Sequence, residues 1–598
     1  MSNQRKNAIS ILRGISIRMP LLIYGAELKN EDEEITIDNF ASLIDDNSWE
    51  EFMPKGVDKE KFEKFKKYYD PDIFREAGKR IREMARAADK FTIEERIERI
   101  SAIFNTFRNP DKETVLTPWR VVNMHMSDCL GGWCFYDEEF KQPLSVPRYV
   151  DQGIITNDVF RPDAHILEIN SKSGLYPLYV AYSVYRSRVE AAKQKYGEVS
   201  HGFSQSLWDA TIEENILVVC KTPMAKSITK RTLAGFRATR VNAQYYPNLI
   251  ENISERSEAV VNTFRDGKHF WKINQDTSMK LDAIVGNPPY QVMDGGAGVS
   301  AIPVYHRFVE IAKKSKPNYI SMIMPAKWYN GGRGLEQFRY DMLHDKQLRS
   351  LYDYIDPHDC FPTVDVAGGI CYFLRDNHYD GLCNFVSCKG GSRIATNRNL
   401  DESEVLIRHQ EELSIMNKVQ KEGQSYLSSN VFSQKPFGLR TYVKPLEKGD
   451  IKLRYNGGIG PYNSDLVTVN KELIGKWKII TSCLTAEHAG ETDKNGQKRI
   501  FSTLEILEPG TICTETYMLL NVFDNQHECI NMLQFLKTRF VRAMVAMVTA
   551  TQHLSKANFR FVPIQDFTRS WTDADLYEKY GLTEDEVSFI ESMIKPME

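Results

Sequence analysis

The stretch Asp282-Ala283-Ile284-Val285-Gly286-Asn287-Pro288-Pro289-Tyr290 decides how the rest of the chain is read. An apolar run of strand length passes directly into Asn-Pro-Pro-Tyr, which puts the tetrapeptide at the carboxyl end of a sheet strand, where α/β folds bind their ligands. Two prolines remove two backbone donors and stiffen the turn. The Asn287 side-chain oxygen and the Pro288 carbonyl are left as acceptors. Acceptors converging on an exocyclic amine direct its lone pair toward an electrophile, and Tyr290 offers a face on which a planar base stacks. An amine held in this way needs no activated nucleophile.

Outward from this stretch, short apolar runs alternate with helical patterns between residues 115 and 373. They are Ala164–Ile169, Asn215–Cys220, Ala259–Phe264, Asp282–Asn287, Tyr319–Met324 and Gly368–Leu374. Strands alternating with helices predict an α/β class with a mostly parallel, doubly wound sheet. Residues 1–110 are rich in charge, with apolar residues at three and four spacing, and predict a helical region. Residues 423–567 are punctuated by Gly and Pro, as in Tyr455-Asn456-Gly457-Gly458, and predict an α+β region with many loops. The tail opens with Thr572-Asp573 as a helix cap. The domains expected are therefore 1–110, 111–400, 401–570 and 571–598.

The chain has 598 residues, 42% hydrophobic and 26% charged, with a net charge of -3. At ~150 residues per domain it holds several domains with real cores, and it is neither disordered nor collagenous. No secretory signal pattern opens the chain and no run approaches the ~18 apolar residues of a membrane span, so a cytoplasmic protein without a membrane partner is expected. Ten cysteines are dispersed without a Cys-x-x-Cys pair, which predicts reduced, buried thiols. The scattered histidines assemble no ligand set, and no metal is expected. There is no Gly-x-Ser-x-Gly elbow for a serine hydrolase and no phosphate loop.

Charge is unevenly spread. Lys221, Lys226, Lys230, Arg231, Arg237 and Arg240 fall in a stretch with no acid, and Lys435, Arg440, Lys444, Lys448, Lys452 and Arg454 face only Glu447 and Asp450. Such local basicity suits phosphate contacts on a chain that is nearly neutral overall.

With these residues in place, the chain resembles the S-adenosylmethionine-dependent adenine-N6 DNA methyltransferases of restriction-modification systems. The motifs that carry the resemblance are Thr117-Pro118-Trp119-Arg120-Val121-Val122, then Ile166 to Gly174, then Asn287-Pro288-Pro289-Tyr290, then Tyr319 to Pro325, and finally Cys360-Phe361-Pro362 with Val366 to Phe373. The resemblance implies that Asn287 and Pro288 orient the target amine, with Pro289 in the same turn. It implies that Tyr290 and Phe361 sandwich a flipped adenine, and that Thr117, Glu168, Asn170, Gly174 and Asp266 line the S-adenosyl-L-methionine site. The order of the motifs, with a long C-terminal stretch after the catalytic turn, resembles the γ arrangement with a C-terminal target-recognition domain. Arg440, Lys444 and Arg454 are the expected DNA-binding residues there, and the loop Asp294–Gly298 is an expected cover for the target.

The chain departs from the family pattern in three places. Glu168-Ile169-Asn170-Ser171-Lys172-Ser173-Gly174 lacks the usual proline and first glycine, and no acid closes the run Ile216–Cys220. A longer span than usual between Thr117 and Glu168 implies an inserted loop around residues 135–163.

The resemblance implies a Rossmann-like methyltransferase domain with a helical N-terminal region. The activity it implies is methylation of adenine N6 in duplex DNA, within a restriction-modification or phage-defence system. The alternatives are a DNA-binding specificity subunit with a degenerate cofactor site, or an RNA adenine methyltransferase. Residues 15–26 also resemble a segment of helicase-methyltransferase fusions, which implies a separately encoded helicase or nuclease partner.

Overall fold

The computed structural model describes residues 3–30, 33–107, 116–293, 301–330, 334–366, 368–401, 405–421, 423–486, 492–493, 496–549 and 553–597. The loop Asp294–Gly298 lies outside them. The chain divides into two compact units, one of residues 1–326 and 340–400, the other of residues 327–339 and 401–598.

The first unit opens with helices α1 (Asn3–Ser16), α2 (Met19–Gly25), α3 (Asp46–Phe52), α4 (Lys59–Phe65), α5 (Pro71–Ala88) and α6 (Ile93–Thr106). A seventh, α7 (Trp119–Cys129), leads into a hairpin of β1 (Gly132–Tyr136) and β2 (Pro143–Val150), followed by α8 (Ile154–Val159). The insertion expected as a loop is thus largely regular. Next come β3 (Ile166–Ile169), α9 (Leu175–Tyr196), α10 (His201–Ala210), β4 (Ile216–Cys220), α11 (Pro223–Ala234), β5 (Ala243–Tyr245), α12 (Leu249–Glu255), α13 (Ser257–Phe264) and β6 (Ala283–Gly286). A small pair, β7 (Gln291–Met293) and β8 (Ala301–Pro303), precedes α14 (Tyr305–Lys314). Strands β9 (Tyr319–Pro325), β10 (Leu348–Tyr354), β11 (Ile370–Asp376), β12 (Cys383–Lys389) and β13 (Ser392–Arg398) complete the set.

Nine of these strands form one sheet in the order β13-β12-β10-β11-β9-β6-β3-β4-β5. The strands from β9 to β5 run parallel, while β11 lies antiparallel between β9 and β10. The result is a mixed α/β fold with a large central sheet. β3, β4, β6 and β9 are buried along their whole length, which is why they read as unbroken apolar runs rather than as alternations.

One run is not a strand. Ala259–Phe264 falls in helix α13, where Val260, Val261 and Phe264 are buried and Glu258, Ala259 and Asn262 are exposed. Buried positions at i, i+1 and i+4 form one helical face, and that spacing outweighs the β-branched composition. The three-residue strand β5 takes the next place in the sheet.

The N-terminal helices share the core of the sheet unit. Arg96 of α6 is buried and donates to the carbonyls of Arg231 and Thr232 on α11, with Asp89 as its ion-pair partner at 2.9 Å. Gly25 of α2 abuts Ile228 and Met224 of α11 so closely that a Cβ there would lie 2.3 Å from Ile228. The 18-residue stretch Ala8–Gly25, with mean hydropathy 1.3, is long and apolar enough to cross a membrane, contrary to the expectation that no such run exists. Its second half, α2, is buried among the apolar side chains of this unit.

The second unit contains two three-stranded sheets. One pairs 451–455 with 458–462 and 511–513, and the other pairs 477–482 with 504–507 and 517–523. The helices Gln526–Lys537 and Arg539–Met547 share an apolar core with the C-terminal helices Asp573–Tyr580 and Glu584–Met593. Thr572 caps the first of these C-terminal helices by accepting from the Asp575 amide.

Candidate active site

The order of the sheet reverses at β3. From there β4 and β5 lie to one side and β6 and β9 to the other. In parallel sheets such a reversal opens a crevice beyond the carboxyl ends of the two central strands, because their crossover connections leave on opposite faces. Asn170 follows β3 and Asn287 follows β6, so the two motifs singled out in the sequence meet at this crevice.

At the end of β3, Glu168 is buried and its Oε2 has no hydrogen-bond partner. Burial pushes its carboxyl up to about 8 from an ordinary 4.5. Asn170 is buried with φ at 70°, and neither its amide oxygen nor its amide nitrogen has a partner. The chain turns at Gly174, the N-terminal cap of α9 with φ at 75°, where a Cβ would lie 3.0 Å from the Thr229 Cα. That position needs glycine for its conformation and for its contact with α11. Glu213 and Glu214 lie in the turn before β4 and pair with Arg240 and Arg188, so no acid closes β4.

At the end of β6, the Asn287 amide nitrogen donates to the Thr117 hydroxyl at 2.9 Å, while its Oδ1 is buried without a partner. Thr117 precedes Pro118, the N-terminal cap of α7, and is only 5% exposed. Pro288 and Tyr290 are buried and Pro289 is half-buried. The Tyr290 hydroxyl is buried beside the Asn287 amide, and burial raises it well above the usual phenol range. Cys360, next to Phe361, is an electrostatic neighbour of Tyr290. Phe361 is 0% exposed and packs in the core of the first unit, so its ring offers no free face in this conformation. Thr117, Glu168, Asn170, Gly174 and the Asn287–Tyr290 turn therefore gather where β3 and β6 end.

Asp266 stands apart from this hydrogen-bonding. Its carboxylate accepts from the His269 amide at 2.8 Å and from the His269 ring at 3.0 Å, capping the turn 267–271. The His269 backbone N–H, with its ring, holds the carboxyl below the usual range.

Two residues escaped the sequence reading. Arg120, in the first turn of α7, donates to the Asp359 carbonyl, and so ties the turn carrying Phe361 to the helix that follows Thr117. His125, buried on α7, meets the Tyr176 hydroxyl and the Ser321 hydroxyl, each at 2.8 Å. Arg120 lies inside a quoted motif but nothing local marks its partner, and His125 has no local signal at all. Among the described residues no group of three or more His, Cys, Asp or Glu could hold a metal ion.

In the second unit the expected basic readers differ from one another. Lys444 is exposed and lies over the Tyr455 ring at 5.1 Å, and Arg440 is exposed, 3.6 Å from Glu515. Arg454 is engaged instead: two 2.8 Å hydrogen bonds to Glu505, further bonds to the carbonyls of Tyr455 and Gly458, and the Tyr517 ring at 4.7 Å fill its guanidinium. In the first unit, Arg231, Arg237 and Arg240 are likewise taken up by Phe236, Asp209 and Glu213.

Fold and site together define an α/β protein that gathers unsatisfied polar groups at the reversal of a parallel sheet, beside an Asn-Pro-Pro-Tyr turn. Residues 214–361 match the Eco57I restriction-modification methylase family, so the segment from β4 through this turn to Phe361 is shared with it. An uncharacterised adenine-specific methylase of Mycoplasma pneumoniae is 32% identical over 149 residues, which cover 24% of this chain and 35% of that protein. The chain thus spans about a third of the length of the curated relative it matches. Among solved structures, the DrdV-DNA complex has a TM-score of 0.43 at 10% identity, covering 94% of this chain and 66% of that one. The type IIL restriction-modification enzyme MmeI in complex with DNA has a TM-score of 0.42 at 9% identity, covering 92% and 78%.

Proposed function

We propose that this chain is an adenine-specific DNA methyltransferase that transfers a methyl group from S-adenosyl-L-methionine to the N6 amine of adenine in duplex DNA. The observation that carries the reading is the buried, partnerless Asn287 Oδ1 at the end of β6, beside the partnerless Glu168 Oε2 and Asn170 amide at the end of β3. Buried polar atoms in native folds are paired, so a cluster of unpaired ones marks a place where a ligand completes the set.

Those residues fit the donor. Glu168, Asn170, the turn at Gly174 and Thr117 would hold it, with Asp266 assigned to its adenine end by resemblance. When bound, S-adenosylmethionine supplies an electrophilic methyl on a sulfonium. Asn287 Oδ1 and the Pro288 carbonyl accept from the adenine amine and aim its lone pair at that carbon. The amine so aimed would take that methyl in exchange for the sulfur, and its surplus proton would leave to solvent. Tyr290 stacks on the base, and resemblance assigns Phe361 to the opposite face. A base in a duplex must leave the stack to reach such a turn.

In this reading the sheet unit is a doubly wound, Rossmann-like methyltransferase domain spanning 111–400, preceded by the helical region 1–110. Residues 401–570 form the target-recognition domain, followed by the tail 571–598. The exposed Lys444 and Arg440 suit phosphate contacts, whereas the occupied guanidinium of Arg454 suits a structural role. The setting is a cytoplasmic restriction-modification or phage-defence system, with a separately encoded helicase or nuclease as a partner. The test is transfer of labelled methyl from S-adenosylmethionine to unmethylated mixed-sequence duplex DNA, with single-stranded RNA in parallel. N6-methyladenine in the DNA is expected. Transfer to RNA alone would favour an RNA adenine methyltransferase, and no transfer to either would contradict the reading.

A further inference from the structure

We propose that Thr117 is a positioning residue for the target amine: its hydroxyl, by accepting the Asn287 amide proton, holds that side chain with Oδ1 toward the substrate. The proposal rests on the methyltransferase reading and changes the role that resemblance gives Thr117, which is contact with the methyl donor.

The side chain of Asn287 has two nearly isosteric ends, an oxygen that accepts and an NH2 that donates. Only the oxygen can accept from an exocyclic amine. With the NH2 end turned toward the substrate, two donors would oppose each other and the amine would be misdirected. Here the NH2 end is held by Thr117 Oγ1 at 2.9 Å, and Oδ1 is left buried and unpaired. Thr117 is only 5% exposed. Glu168, Asn170 and Tyr290 carry the other unpaired atoms of this cluster, and the Tyr290 hydroxyl lies beside the Asn287 amide as a second polar neighbour.

The anchor that holds Thr117 is itself fixed. Thr117 leads into α7, whose first turn carries Arg120 on the Asp359 carbonyl. Further along, α7 places His125 between the Tyr176 and Ser321 hydroxyls. Asn123 of the same helix accepts from the Phe135 amide at 2.8 Å. One helix therefore joins the Asn-Pro-Pro-Tyr turn to the turn carrying Phe361. Preorganising an acceptor in this way removes reorganisation from the chemical step, an effect seen in the maximal rate rather than in ground-state binding.

The experiment compares the full-length chain with T117V, which keeps the shape and loses the hydroxyl, and T117S, which keeps the hydroxyl. Methyl transfer to unmethylated duplex DNA gives kcat and KM, calorimetry gives the Kd for S-adenosylmethionine, and thermal melting reports the fold. The expected result is a 10- to 100-fold fall in kcat for T117V, with the donor Kd within about twofold of wild type and T117S within about threefold in kcat. If T117V melts well below wild type, T117A carries the same expectation without the branched bulk. A raised donor Kd with kcat unchanged at saturation would make Thr117 a donor ligand and overturn the proposal. Equal loss in T117V and T117S would show that the hydroxyl alone does not carry the effect and would overturn it too. A wild-type chain that binds the donor but transfers no methyl would overturn the methyltransferase reading itself, a result distinguishable from both.

Discussion

Glu168 and Gly286 meet where β3 and β6 end: a Cβ on Gly286 would lie 3.1 Å from the Glu168 Cγ, and Gly286 holds φ at 143°. The Glu168 side chain of one motif thus crowds the space that a side chain on the other would need. Gly286→Ala should be costly twice over, through its backbone conformation and through displacement of Glu168. The expected outcome is a fall of at least 10-fold in methyl transfer, with a melting temperature lowered by a few degrees. Activity and thermal melting on the same preparation check it.

Glu168 is raised to about 8 in the fold from an ordinary 4.5. Between these values the folded chain keeps a proton that the unfolded chain has lost, so this group favours folding at low pH. Its contribution is lost progressively as pH rises through 8. Glu168→Gln removes the buried charge and should stabilise the chain by ~2 kcal/mol at pH 9, with little change at pH 5. Donor binding should weaken at the same time. Melting temperature against pH, paired with calorimetry, reads both effects.

His125 works in the opposite direction. Burial pushes its imidazole down to about 3 from 6.5. The unfolded chain therefore binds the proton first, and stability contributed by the neutral ring is lost as pH falls from 6.5 toward 3. His125→Phe should cost ~2 kcal/mol at neutral pH by orphaning the Tyr176 and Ser321 hydroxyls, and should flatten the acid limb of the profile. Urea denaturation at several pH values measures both.

Lys444 and Arg454 separate by their partners. Lys444→Ala should weaken binding to duplex DNA across sequences and reduce the slope of log affinity against log salt by about 1. Arg454→Ala strips Glu505 of its partner and should lower the melting temperature, with the salt slope unchanged. Fluorescence anisotropy at several salt concentrations and a thermal melt distinguish the two.

The strands β3, β4, β6 and β9 were legible in the sequence because both faces of each are buried, which writes them as continuous apolar runs. Two prolines after Gly286 likewise told where β6 stops. Ala259–Phe264 misled because it was read for apolar composition rather than for the spacing of its buried residues. β5, β10, β12 and β13 carried no run that stood out. The contact between Asn287 and Thr117 joins residues 170 positions apart, a pairing that only the packing of α7 against the sheet supplies. Arg454 looked like a DNA contact for the same reason: its charge was visible, and Glu505, 51 positions away, was not.

The measurement that bears most directly on the account is Asn287→Ala read in two ways, by calorimetry with S-adenosylmethionine and by methyl transfer to unmethylated duplex DNA. Asn287 is assigned to the target amine and not to the donor. The account predicts a donor Kd within about twofold of wild type and transfer reduced by at least 10³-fold, since the acceptor that aims the amine is gone. Wild-type transfer in Asn287→Ala, or loss of donor binding together with transfer, would contradict it.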